Sequence, residues 1–175
     1  SFNISFWVND SLINCGAETY FFQGDDNGGS SIQMWHHFSN LIFSVGAPAQ
    51  ILVVPYREED KNKFVLYTMT YENGVMKAYR NLELLGSLNQ SVSYSNSYAG
   101  IATHFWSPSN TSARFTGKID DFRIYNRAIT SSEIQQLYTQ NKYLTLIQPN
   151  GGEVFPPSST QTISWSSNGI ANIKL

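Results

Sequence analysis

The sequence predicts an all-β sandwich. Short runs in which apolar and polar residues alternate recur along the chain, separated by clusters of Gly, Asn, Asp and Pro. A single helical pattern appears late, so there is no strand–helix–strand alternation of the kind that builds a parallel sheet. Composition agrees: 14% of residues are aromatic, and Tyr, Phe and Thr suit pleated, half-buried surfaces.

The first run, Phe2–Val8, places Phe2, Ile4, Phe6 and Val8 on one face and Asn3, Ser5 and Trp7 on the other, and Asn9-Asp10 supplies a turn signal. Leu12–Cys15 and Thr19–Gln23 read as a second strand interrupted at Gly16. The tip from Gly24 to Gly29 is a loop by composition, and Ser31–Phe38 returns from it. Leu41–Val45 and Gln50–Tyr56 are β-branched runs split by Gly46-Ala47-Pro48. Arg57–Lys63 is a charged, solvated connection. Phe64–Tyr71 and Val75–Tyr79 flank Asn73-Gly74, the strongest short-range hairpin signal a sequence offers, and Arg80–Leu85 continues the second arm. Gln90–Asn96 fits an edge strand or a loop equally, and Tyr98–Phe105 reads as a strand.

From Ile119 to Tyr125 the residues alternate again, with Phe122 and Ile124 marking the core face. Asp120 shares that face, so a carboxylate is expected to point inward, where it must be hydrogen-bonded, paired or metal-bound. Asp121 falls on the other face with Arg123, as a surface pair. Thr130 precedes Glu133 at capping-box spacing, and Ile134, Leu137 and Tyr138 share one face of the short helix that follows. After Lys142 the composition shifts to proline- and glycine-rich turns around two apolar runs, Leu144–Ile147 and Thr162–Trp165. Residues 142–175 read as the first strands of a second, incomplete sandwich, and the chain as part of a longer protein.

Several function classes are disfavoured directly. A net charge of −2 with 14% charged residues gives no electrostatic footprint for nucleic acid. No apolar run is long enough to cross a bilayer. The single cysteine, Cys15, permits no intramolecular disulfide and reads as a small buried apolar residue. His36 and His37 are adjacent, so on a strand they face opposite ways and cannot chelate one metal together, and His104 stands alone. Asp25 and Asp26 lack the alternating spacing of a cation loop.

The segment from Phe115 to Tyr138, FTGKIDDFRIYNRAITSSEIQQLY, resembles the closing strand and helix of LamG-like jelly-roll domains, members of the concanavalin A-like lectin/glucanase superfamily. Phe2–Val8 is similar to the family's F-T-I-S-x-W-V strand, and Phe64–Asn81 to its hairpin, with Leu82 where a Gly is usual. The resemblance covers residues 1–141 and implies a jelly-roll antiparallel sandwich with one short C-terminal helix, lacking the one or two strands that usually come first. The tail, with P-N-G-G-E and T-I-S-W, resembles the opening of an Ig-like repeat of secreted bacterial surface proteins.

The resemblance implies a non-catalytic binding or adhesion module of a secreted or cell-surface protein, with a glycan as ligand and other domains of the same chain as neighbours. A structural spacer without its own ligand is the alternative. Such domains often hold a structural Ca²⁺ at the sandwich edge through an aspartate of the closing strand plus carbonyls, which makes Asp120 the metal candidate. Sugar binding needs aromatic rings at loops and strand ends, for which Trp106, Tyr98, Tyr94 and Tyr56 are the candidates. The superfamily's hydrolases carry E-x-D-x-x-E on one strand. Glu58-Glu59-Asp60 begins this way, but Lys63 takes the last acid's position, so the chain reads as no enzyme.

Overall fold

Alternation along the first strand, β1 (Phe2–Asp10), sends Phe2, Ile4, Phe6 and Val8 into a core that separates two five-stranded antiparallel sheets. The computed structural model describes residues 1–11, 16–24, 31–46, 50–92, 98–102, 115–140 and 143–168. The chain divides into two compact units, Ser1–Ser131 and Ser132–Leu175. The first contains β2 (Ala17–Gly24), β3 (Ser31–His37), β4 (Asn40–Gly46), β5 (Gln50–Pro55), β6 (Phe64–Glu72), β7 (Val75–Arg80), β8 (Glu83–Asn89), β9 (Tyr98–Ile101) and β10 (Gly117–Tyr125). One sheet has the order β10-β1-β6-β7-β8 and the other β5-β4-β3-β2-β9. Phe6, Tyr20, Phe43 and Tyr67 meet between them edge-on or stacked, each burying an area worth roughly 1.5–3 kcal/mol. The fold is thus an all-β sandwich.

Two local expectations change and one is met. β1 is buried on both faces, since Asn3, Ser5 and Trp7 are as enclosed as the apolar set. The β6–β7 hairpin turns at Asn73 (φ 50°) and Gly74 (φ 79°), the paired positive angles of a type I′ turn. Arg80–Leu85 does not continue β7. Asn81, at φ 54°, reverses the chain, and β8 returns antiparallel to β7. The Asn81 side chain fixes this reversal by accepting a hydrogen bond from Leu66 N–H (3.0 Å) while the Asn81 backbone N–H donates to Leu66 O (2.7 Å).

The alternation in β10 also breaks. Register against β1 slips between Ser5 and Trp7, and Asp121 takes the left-handed conformation (φ 51°), so one extra residue sits in β10 as a bulge. Ile119 before the bulge and Phe122 after it pack on the core, with Phe122 stacked 5.4 Å from Phe6. Asp120, opposite Trp7, is exposed, and Ile124 is 60% exposed. The start of β10 lies so close to β1 that a Cβ on Gly117 would collide with Asn9 O and the Phe115 ring.

The second unit holds most of α1 (Ser131–Thr139) and a two-stranded antiparallel ribbon, β11 (Tyr143–Gln148) with β12 (Ser164–Asn168). In α1, Ile134 is buried and Leu137 and Tyr138 are partly so, the face expected from the sequence. Between the strands, the Glu153 carboxylate accepts hydrogen bonds from Asn150 and Gly151 N–H, which stabilise its charged form and lower its pKa.

Candidate functional site

Two places in the sandwich concentrate polar chemistry. One is interior. Asp10 ends β1 at the same parity as Val8, so its carboxylate turns inward, only 2% exposed. It accepts a hydrogen bond from Tyr20 Oη (2.8 Å), and its Oδ2 lies 3.1 Å from His36 Nδ1, joining the two sheets at one end. Against a carboxylate acceptor, His36 carries its proton on Nδ1. Tyr56 stacks on the His36 ring at 4.7 Å, and Tyr20 stacks on Tyr67 at 6.1 Å. Burial, then the Asp10 charge, pushes the Tyr20 and Tyr56 hydroxyls up; burial, then Asp60, does the same for Tyr67.

Asp60 completes this end. The Glu58–Asp60 segment forms a 3₁₀ turn, and Asp60, expected in solvent, is 4% exposed. Arg80, on the inward face of β7, explains the burial: its Nε donates to Asp60 Oδ2 at 2.7 Å and its Nη2 to Asp60 Oδ1, a bidentate fork that raises the guanidinium pKa. Arg80 also reaches Glu59, and Arg57 pairs with Glu83 at 2.5 Å, lowering the Glu83 pKa. The three acids considered as the start of a hydrolase motif therefore lie in a turn rather than on one strand face. The Asp10–His36 pair cannot reach a dissolved substrate, because His36 is only 1% exposed.

The other place is open. On the outer face of β6 and β7, a groove of about 400 Å³ is lined by Thr70, Glu72, Lys77 and Tyr79, with Thr130 and Ser131 among the residues along its wall. Strand parity puts the four strand residues on the side opposite Met69, Tyr71, Met76 and Ala78, which belong to the core. Thr70, itself 5% exposed, faces Lys77 across the hairpin and the buried Asn3 across β1, so the groove's open polar groups lie on the β7 side. Tyr79 is half-buried, which raises its hydroxyl pKa and leaves part of the ring facing out.

Asp120 does not point inward as expected. It is exposed, its Oδ1 accepts the Asp121 N–H at 2.8 Å, and among the described residues no three His, Cys, Asp or Glu side chains gather. The bulge is the reason, since it turns Asp120 to the outer side. Asp121 does pair with Arg123, at 3.2 Å. Tyr56 is not an outward ring: it is 9% exposed and stacked on His36. Tyr98 begins β9, and its side chain, like Tyr94, Trp106, His104, Cys15, Asp25 and Asp26, lies outside the described residues. Sequence reasoning missed Asp10, although its parity with Phe2, Ile4, Phe6 and Val8 was the signal for it. Lys77 and Tyr79 carried no such signal.

Known proteins agree with this architecture. The chain matches the solved botulinum neurotoxin serotype D binding domain with a TM-score of 0.62 and 21% identity, over 78% of this chain and 35% of that one. It matches the botulinum neurotoxin type G receptor binding domain at 0.59 and 17% identity, over 83% and 43%. A third structure, at 0.60 and 22% over 78% and 35%, is of a botulinum neurotoxin type C protein whose cell entry depends on interaction with two ganglioside molecules. The chain spans less than half the length of these proteins, and at such identities the likeness is one of fold. No curated protein matches the chain. Residues 1–135, which hold all the strands of the sandwich and the start of α1, match the description of the concanavalin A-like lectin/glucanases superfamily. With two facing antiparallel sheets and a match over most of its length, the chain belongs to that superfamily.

Proposed function

We propose that this chain is a non-catalytic carbohydrate-binding module and that its ligand lies in the groove over β6 and β7. The lining of that groove carries the reading. A tyrosine ring gives a pyranose a flat face to stack on, and the short polar groups of Thr70, Asn73, Thr130 and Ser131 match ring hydroxyls. Glycoside hydrolysis would need two carboxylates about 5–9.5 Å apart across the scissile bond. Glu72 is the one carboxylate among the lining residues, which favours binding over hydrolysis. Superfamily membership and the likeness to solved binding domains, one of them a receptor binding domain, support the same choice. The proposal includes an extracellular setting and an Ig-like continuation after residue 142. Among the described residues no helix is long and apolar enough to cross a membrane.

A glycan array probed with the whole chain tests the reading. Retention of a glycan, lost in Tyr79→Ala while the circular dichroism spectrum is kept, is the expected result. Loss on Trp106→Ala with Tyr79→Ala silent would move the site to Trp106. Absence of any retained glycan would leave the spacer role. Release of reducing sugar from a polysaccharide would overturn the non-catalytic assignment.

A further inference from the structure

We infer that the saccharide bound in this groove is acidic, its carboxylate or sulfate group held by Lys77; the inference rests on the carbohydrate reading just given. Lys77 lies mid-strand on the outer face of β7, between Val75 and Tyr79, and all three line the groove. Its cross-strand neighbours are Thr70 on β6 and Ser87 on β8, both hydroxyl residues. A carboxylate directly opposite would pair such a cation on a sheet surface. None does: no described carboxylate comes within 4.0 Å of Lys77, whereas Arg57, Arg80 and Arg123 each have one. Glu72, the acid of the groove, sits opposite Val75, one diagonal away. The strand rise separates it from Thr70 by about 7 Å along β6.

The groove therefore has two ends of different chemistry. At one, an uncommitted ammonium stands among hydroxyls, a donor set suited to an oxyanion: the ammonium takes one oxygen and a threonine or serine hydroxyl another. At the other, Glu72 and Asn73 offer acceptors suited to neutral sugar hydroxyls. A saccharide with its anion at the Lys77 end and neutral hydroxyls at the Glu72 end satisfies both. A neutral saccharide leaves the ammonium without an ionic partner.

The test uses the whole chain on sialylated, uronate-containing and sulfated glycans, each beside its neutral core. Acidic members should bind at least about tenfold more tightly than their cores, the scale of one charge-assisted contact. Lys77→Gln should remove that tenfold difference, weakening the acidic members far more than their neutral cores. Lys77→Arg, which keeps the charge, should retain most of it. Added salt should weaken the acidic members selectively. Which acidic set responds separates carboxylate from sulfate. Equal binding of acidic and neutral glycans, or a silent Lys77→Gln, overturns the inference while the carbohydrate reading stands. Retention of no glycan at all overturns both.

Discussion

Replacing Asp10 by alanine removes the acceptor that ties the two sheets together at one end of the sandwich. Two buried donors, Tyr20 Oη–H and His36 Nδ1–H, lose the carboxylate they share. A buried donor left unsatisfied costs about 1–3 kcal/mol, so the pair sets a loss of roughly 3–4 kcal/mol. The unfolding free energy of a domain is only about 5–15 kcal/mol, so the variant should be visibly fragile. Tyr20→Phe removes one donor and leaves the His36 contact, for about 1 kcal/mol. Asp120→Ala touches an exposed carboxylate whose contact with Asp121 N–H water can replace, and should cost less than about 1 kcal/mol. Urea unfolding followed by far-ultraviolet circular dichroism should give Asp10→Ala the largest loss, Tyr20→Phe an intermediate one and Asp120→Ala the smallest. A loss below 1 kcal/mol for Asp10→Ala, or the reverse order of the two aspartates, would refute the reasoning.

Other outcomes follow from the same packing. The hydroxyl pKa values of Tyr20, Tyr56 and Tyr67 are raised in the folded chain, so their contribution is complete below the unfolded tyrosine pKa of about 10 and falls as pH rises above it. Each can remove up to roughly 1.4 kcal/mol per pH unit there, and ultraviolet titration should show tyrosine ionisation coinciding with unfolding; a smooth, non-cooperative titration of all ten tyrosines would count against it. Gly117→Ala forces a Cβ onto the Asn9 carbonyl and should lower stability by about 1–3 kcal/mol in the same urea assay, with an unchanged midpoint as the contrary result. EDTA should leave the melting temperature where calcium-containing buffer puts it; a drop of several degrees, absent in Asp120→Ala, would make Asp120 a metal ligand.

What could be read in the sequence was what depends on near neighbours. Asn73-Gly74 specifies its turn through two adjacent residues, and the core face of β1 is written in strict alternation. The inward carboxylate was the right kind of expectation placed on the wrong strand. In β10 the alternation of letters runs unbroken through Asp121, and nothing in them marks the left-handed angle that turns Asp120 outward and Phe122 inward. In β1 the same parity rule would have found Asp10, had the turn signal at Asn9-Asp10 not ended the strand early. Asp60 reads as solvated within a charged run because its burial depends on Arg80, twenty residues on and brought inward by the hairpin register. The groove is less legible still. It forms only when β6 and β7 pair in that register and residues 128–131 run beside them, so Lys77 and Tyr79 look like ordinary strand residues in the letters alone.

The most direct test of the carbohydrate-binding groove is nuclear magnetic resonance of the isotope-labelled chain titrated with the glycan that an array selects. The predicted result is a set of amide shifts, saturable with ligand, centred on Thr70, Lys77, Tyr79 and Thr130 and abolished by Tyr79→Ala. Shifts confined to residues away from this face, or persisting unchanged in Tyr79→Ala, would contradict it.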